Sequence, residues 1–120
     1  MDLEVRVEVV NADARDLARS DCRGQAALVT ARAFGPPAVT AEIGGALLAV
    51  GGTLVVSEPP PRDGVDPVER WPSAGIGRLG LVDAGRGHSG MFGYQALLCA
   101  SATPDRFPRR GPAMASDPVF

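Results

Sequence analysis

The segment VTARAFGPPAVTAEIGGALLAVGGTLVVSEPP, residues 29–60, decides the fold. It starts within the apolar run AALVT (26–30), which predicts a short buried strand. Pro36-Pro37 then opens a helix, because proline is tolerated in the first helical turn, and Gly51-Gly52 supplies its end. TLVVS (53–57) is the next buried strand. A strand, a helix and a strand in this order predict parallel strands joined by a right-handed connection.

Two glycines lie inside the predicted helix, at Gly44 and Gly45. Glycine within a helix is less favourable than alanine by about 1 kcal/mol per residue. Paired glycines at this position therefore predict close packing of the helix on a sheet.

The residues before this segment predict a strand and a short helix. EVRVEVV (4–10) alternates charged and apolar residues, which is typical of a strand with one partly solvated face. Asp13 is placed to cap a helix that runs to about Arg19, with Asp16 three residues later in the role that glutamate usually takes.

The residues after it predict a weak helix from Pro72 to Leu79 and then two strands. The strands are LVDA (81–84) and YQALLCAS (94–101), joined by the glycine-rich GRGHSGMFG. A short connection between two strands implies an antiparallel pair. The sequence therefore predicts one α/β domain over residues 1–120, with a mostly parallel sheet and a C-terminal antiparallel hairpin.

Composition narrows the functional classes. The chain is 45% apolar and 22% charged, and its net charge of −2 does not indicate a general nucleic-acid binder. Its apolar runs are too short to cross a bilayer and no signal peptide is recognisable, so we expect a cytoplasmic protein outside the membrane. Residues 70–120 hold six arginines against three acids, and the irregular tail at 102–120 is basic, which fits contact with phosphate.

Several candidate motifs are weak. GIGRLG (75–80) and GRGHSG (85–90) fit a glycine-rich fingerprint, but neither has both a preceding strand and a following helix, so a helix end and a hairpin loop are the better interpretations. His88 is the only histidine, and no set of ligands for a metal surrounds it in the sequence. Cys22 and Cys99 are interpreted as two buried thiols.

Arg32 is the best candidate for a ligand-binding residue. It follows a predicted buried parallel strand, and open α/β sheets bind ligands at the carboxyl ends of such strands. Its guanidinium suits a carboxylate or a phosphate. The alternative is a salt bridge within the protein to Glu58 or Asp13. Asp13 also follows a strand end, so we expect it to face the same crevice.

Four segments together carry a resemblance to a known family. They are VVNADARDLA (9–18), LVTARAFGPPAV (28–39), LLAVGGTLVVSEPP (47–60) and the tail RFPRRGPAMASDPVF (106–120). In order and spacing they resemble the second half of class I S-adenosylmethionine-dependent methyltransferases. More narrowly, they resemble the small-subunit ribosomal RNA guanine-N7 methyltransferase G family, also called glucose-inhibited division protein B. The resemblance implies a truncated Rossmann-like methyltransferase sheet and methyl transfer to a guanine nitrogen of ribosomal RNA.

The resemblance also implies site residues. Arg32 matches an arginine that contacts the methyl donor S-adenosylmethionine. Ala14 and Arg15 match an Ala-Glu pair beside the adenine, so Arg15 replaces the acid and Asp13 or Asp16 is left to supply the carboxylate. Arg109 and Arg110 match the basic tail, which implies contact with ribosomal RNA.

One element of the family is missing. Class I methyltransferases hold the donor with a glycine-rich loop after the first strand, whereas this chain has no glycine before Gly24. The chain therefore resembles the C-terminal portion of a longer protein, and the alternative function is a non-enzymatic remnant or binding module with half a sheet. Strand 4–10 must then dock beside strand 26–30 or come loose. We expect docking, with a crevice above it too short for a nucleoside.

Overall fold

The computed structural model describes residues 6–32, 34–59 and 70–120. These residues form eight elements: α1 (Ala14–Leu17), β1 (Ala26–Ala31), α2 (Pro37–Leu47), β2 (Leu48–Glu58), α3 (Ser73–Gly77), β3 (Leu81–Ser89), β4 (Phe92–Cys99) and α4 (Ala113–Ser116). The predicted α/β class is confirmed. None of the helices in these ranges combines the length and the apolar character that crossing a bilayer requires.

Within the described residues the strands form one open sheet in the order β1-β2-β4-β3. β1 pairs with β2 in parallel, as predicted, whereas β4 is antiparallel to both β2 and β3. The C-terminal hairpin is thus confirmed, and the sheet is mixed, since one of the three pairings is parallel and two are antiparallel. The reason is that the second strand of the hairpin, not the first, lies beside β2, so both of its pairings are antiparallel.

The connection from β1 to β2 follows the prediction at its start and departs from it at its end. Helix α2 begins at Pro37 with Pro36 as its N-cap, and it ends at Leu47 rather than at Gly51-Gly52. β2 starts at once, so Val50 lies in a strand and is 63% exposed. The glycines instead occupy an irregularity in the β1–β2 register, where a side chain on Gly52 would meet the Ala26 carbonyl oxygen at 2.7 Å.

The prediction that Gly44 and Gly45 allow close packing on the sheet is confirmed. A Cβ atom on Gly44 would lie 2.9 Å from Cδ1 of Leu54 in β2. A Cβ atom on Gly45 would lie 3.3 Å from Cδ1 of Leu81 in β3. The two glycines therefore let the backbone of α2 approach the buried leucines of the sheet.

The main core lies on one face of this sheet. Val29, Leu54 and Leu97 contribute to that face, against α2, α3 and the buried ring of Phe107. Neighbouring positions of the same strands point away from it, and Leu28 is 60% exposed. The strand is formed, but the expectation that residues 26–30 are buried is wrong, because in the described residues helices cover only the face that carries Val29.

The predicted strand at 4–10 is not formed in the part that the structure describes. Residues 7–10 belong to no helix or strand, and Val7, Val9 and Val10 are 61%, 90% and 51% exposed. Residues 4 and 5 lie outside the described residues. The expected docking beside β1 is wrong for residues 6–10. Docking without side-chain burial gains only about 1 kcal/mol per hydrogen bond, which does not exceed the 1–2 kcal/mol of backbone entropy lost per ordered residue.

The C-terminal tail is more ordered than an irregular segment. It contains the short helix α4, and Phe107, Met114 and Val119 are all buried. Arg23 holds the first part of the tail, since its Nη2 atom donates to the carbonyl oxygens of Thr103 at 3.0 Å and Pro104 at 3.1 Å. The tail therefore packs as part of the domain.

Gly80, after α3, packs closely against Ser101, the residue before the tail, whereas Gly77, within α3, has open space around it. Gly80 has φ +79°, and a Cβ atom there would lie 2.1 Å from the carbonyl oxygen of Ser101. We expect Gly80→Ala to lower the free energy of unfolding by about 2–4 kcal/mol, from backbone strain and a clash with backbone. Gly77→Ala, where a Cβ meets nothing within 4 Å, is the control. Urea unfolding followed by circular dichroism measures both, and equal losses would contradict this account.

Candidate functional site

Helix α1 is the starting point of the site. Asp13 caps it as predicted, accepting the backbone N–H of Arg15 at 2.8 Å. The following residue on its inner side, Ala18, is fully buried in a small cluster with Ile43 and Met114. This contact fixes α1 against α2 and the tail. Arg15 and Arg19, four residues apart, then lie on the same side of the turn.

A surface recess of about 380 Å³ lies between α1 and the tail. We call it the arginine recess, and its lining residues are Arg15, Asp16, Arg19, Arg110 and Gly111. It brings together two residues that the sequence assigned to different ligands, since Arg15 was predicted to bind the donor and Arg110 to bind RNA. Arg19 was not predicted as a site residue. Arg19 lies four residues from both Arg15 and Arg23, and this spacing is the sequence pattern that could have indicated that the three arginines act together.

Two guanidinium groups of the arginine recess, those of Arg15 and Arg19, are held by the tail. Nη1 of Arg15 donates to the carbonyl oxygen of Gly111 at 2.9 Å, and its Nη2 lies 3.6 Å from the carboxylate of Asp13. Nη1 of Arg19 donates to the carbonyl oxygen of Pro108. Because each guanidinium has five N–H donors, both side chains keep donors for a ligand after making these contacts.

The tail itself is fixed by an ion pair that involves Arg109. The carboxylate of Glu42, in α2, is only 1% exposed. It accepts the backbone N–H of Arg109 at 2.6 Å and the Nη2 donor of the same residue at 2.9 Å. The guanidinium of Arg109 also lies 5.8 Å from the centre of the Phe107 ring. Arg109 is thus engaged inside the protein, while its predicted contact with RNA stays a prediction.

Arg110 differs from Arg109 in where its side chain lies. It is exposed and lines the arginine recess. The backbone on both sides of it is held, by the N–H of Arg109 bound to Glu42 and by the carbonyl of Gly111 bound to Arg15. The predicted RNA-binding pair is therefore divided into one inward and one outward residue.

Arg32 lies directly after β1, as the sequence predicted, and it is exposed. Both carboxylates considered as its partners are bound elsewhere: Glu58 pairs with Arg70 at 2.7 Å and Asp13 pairs with Arg15. Within the described ranges, Arg32 forms no hydrogen bond or ion pair. The salt-bridge alternative is therefore wrong for both partners.

The predicted donor-binding set is only partly brought together. Asp13, Ala14 and Arg15 lie at α1, and Ala14 is half-buried against the small cluster around Ala18. Arg32 is not one of the residues that line the arginine recess. The charged residues of the predicted donor-binding set thus lie at two places, Arg32 at the carboxyl end of β1 and Asp13 with Arg15 at α1.

In the described residues the two glycine-rich motifs form parts of secondary structure and turns. GRGHSG lies in β3 and its turn, with His88 exposed opposite Gly93, and GIGRLG covers the end of α3 and the turn after it. Among the described residues, no three potential ligands come together for a metal ion. Cys22 is exposed, so its interpretation as a buried thiol is wrong. Cys99 is buried as predicted, and burial raises the pKa of its thiol.

Comparisons with known proteins add no relative. No protein-family model matches the chain, and a search of curated proteins finds no significant match.

The neighbours Arg109 and Arg110 offer a matched test of the tail contacts. We expect Arg109→Ala to lower the free energy of unfolding by about 3–5 kcal/mol, because it leaves the buried Glu42 carboxylate without its main partner. Arg110→Ala is expected to change it by less than about 0.5 kcal/mol, since that side chain is exposed. Denaturant unfolding of both variants measures the difference.

The double variant Glu42→Met/Arg109→Met provides the control for this explanation. Replacing both members of a buried pair by apolar residues is often close to neutral, so it should recover most of the stability lost in Arg109→Ala. A double variant as unstable as the single one would show that the ion pair is not the cause.

Proposed function

We propose that this chain carries the C-terminal portion of an S-adenosylmethionine-dependent methyltransferase domain, whose substrate is a guanine nitrogen of small-subunit ribosomal RNA. The proposal includes a cytoplasmic location, as expected for a ribosomal RNA substrate. It rests on the family resemblance of the sequence together with the position of Arg32. Methyl transfer is a displacement at the methyl carbon, which a protein accelerates mainly by holding the two reactants in line.

The position and exposure of Arg32 are the observation that supports the proposal most. Arg32 stands at the carboxyl end of a parallel strand, where open α/β sheets bind ligands. Its guanidinium is exposed and has no internal partner in the described residues, while the nearby Glu58 is neutralised by Arg70. An arginine in this position suits the carboxylate of the methyl donor.

The order of the elements gives further support. A parallel β1–α2–β2 unit followed by an antiparallel hairpin is the order that the resemblance implies for the second half of the fold. The tail with Arg110 packs next to this unit through its contacts to α1 and α2. Arg110, which we propose to contact RNA, therefore packs near the unit that carries Arg32, which we propose to contact the donor.

The described residues fit the donor only in part. Arg32 fits its carboxylate, whereas Arg15 places a cation where the resemblance requires an acid, and the carboxylate of Asp13 is occupied by Arg15. No strand lies beside the outer edge of β1 among the described residues. They therefore offer one side chain whose chemistry suits S-adenosylmethionine and no cradle for its nucleoside, and we derive no catalytic step from them.

This incomplete fit favours a second candidate function, a binding module that does not transfer methyl groups. The arginine recess brings three arginines to one surface within the described residues, whereas these residues form no cradle for the donor. A module of this kind would bind an anionic partner through the recess.

The chain as given is expected not to bind S-adenosylmethionine. Titration of the purified chain with the donor at millimolar concentration should give no heat and no rise in Tm, because Arg32 alone does not hold a nucleoside. A saturable signal with a micromolar Kd would show instead that the site is complete without a glycine-rich loop.

The role of Arg32 is tested in a version of the domain that includes a glycine-rich donor loop. There, Arg32→Ala should weaken donor binding by about 1.5–3 kcal/mol, the usual contribution of a hydrogen bond to a charged group. Arg86→Ala, at an exposed position of β3, should leave the calorimetric Kd unchanged. An unchanged Kd for Arg32→Ala would make Arg32 a surface residue without a ligand.

A further inference from the structure

We infer that the arginine recess is a binding site for a phosphate group. This inference deepens the RNA-binding part of the proposed function and does not depend on methyl transfer. It is carried by the side chains of Arg15, Arg19 and Arg110, which meet at one surface although α1 and the tail are distant in sequence.

The charges of the arginine recess favour an anion. Three guanidinium groups and one carboxylate, that of Asp16, line it. The carboxylate of Asp13, near Arg15, offsets a second positive charge in part, at a distance of 3.6 Å. Arg19 and Arg110 have no carboxylate partner among the described residues. Three guanidinium groups against these two carboxylates leave the recess with a net positive charge, and this charge attracts an anion.

Two of the three arginine side chains of the arginine recess are held in place before a ligand arrives. Arg15 and Arg19 are each fixed by a hydrogen bond to a tail carbonyl, and the backbone of Arg110 is fixed on both sides. Binding a ligand therefore requires less ordering of side chains than at a mobile surface. Arginine forks match the oxygen atoms of phosphate with paired hydrogen bonds.

The described lining of the arginine recess favours phosphate over the other groups of a nucleic acid. None of the lining residues that the structure describes is aromatic or aliphatic, so among them no ring or branched apolar side chain is offered to a base. The volume of the arginine recess, about 380 Å³, is at the small end of ligand sites. A phosphate contact of this kind positions a strand without reading its sequence. The ligand is thus a phosphate group, either in a nucleic-acid backbone or in a free phosphorylated molecule.

The experiment compares the wild-type chain with Arg110→Gln and with the control Arg86→Gln. Each variant removes one exposed arginine, so the change in net charge is the same, and only Arg110 lines the arginine recess. Two probes are titrated by calorimetry, inorganic pyrophosphate and a short oligouridine. The salt dependence of oligouridine binding is measured in parallel.

We expect Arg110→Gln to weaken binding of both probes about tenfold, which corresponds to 1.4 kcal/mol. For oligouridine, the slope of log K against log salt concentration should fall by about 0.7, the value for one contact to a single strand. The same loss for pyrophosphate alone supports the site and identifies a free phosphorylated ligand. Loss for oligouridine alone supports it and identifies a backbone phosphate.

Two results would overturn the inference. The first is that neither probe binds, or that Arg110→Gln binds both as tightly as wild type. The second is an equal loss with Arg86→Gln, which would show that diffuse surface charge and not the arginine recess holds the probes. Donor binding through Arg32 is a separate measurement, so a negative result for S-adenosylmethionine leaves the conclusion on phosphate unchanged.

Discussion

The carboxylate of Glu42 is the constraint on which the C-terminal part of the structure depends. It is buried on the inner side of α2, and a buried charge without a partner is strongly unfavourable. Arg109, 67 residues later, supplies both its backbone N–H and its guanidinium. This pairing sets the path of the tail across α2. It therefore determines where Arg110 and Gly111 lie, and with them the position of the arginine recess beside α1.

A tail without long helices or strands must find other partners for its buried backbone groups. The arginines that follow Asp13 supply them: Arg15, Arg19 and Arg23 all donate to tail carbonyl oxygens. Arginine suits this task because its five donors can serve several carbonyls at once, as Arg23 does. The arginines of this region therefore stabilise the position of the tail. The contact with an anion uses only the donors that remain after the tail has been held.

The sequence predicted those features that depend on neighbouring residues. The Asp13 cap, the helix start at Pro36-Pro37 and the antiparallel hairpin could be predicted because each follows from local backbone chemistry. The paired glycines of α2 predicted a close contact with the sheet but did not identify its partners. The position of β4 beside β2 could not be predicted from the sequence, since strand order depends on packing across the whole sheet. For the same reason the sequence grouped Arg109 and Arg110 as one pair expected to contact ribosomal RNA. Their division depends on the buried carboxylate of Glu42, which no local pattern marks.

The two candidate sites depend on different parts of this structure. The position of Arg32 follows from the parallel pairing of β1 with β2, and it needs neither the tail nor α1. The arginine recess follows from the contact of Glu42 with Arg109 and from the arginine contacts to tail carbonyls. Breaking the tail contacts should therefore remove phosphate binding and leave the carboxyl end of β1 as it is. Conversely, a change confined to Arg32 leaves the arginine recess intact. A protein in which donor and nucleic acid bind through separate elements can lose one activity and keep the other, and this independence makes a binding module a physically reasonable alternative to an enzyme.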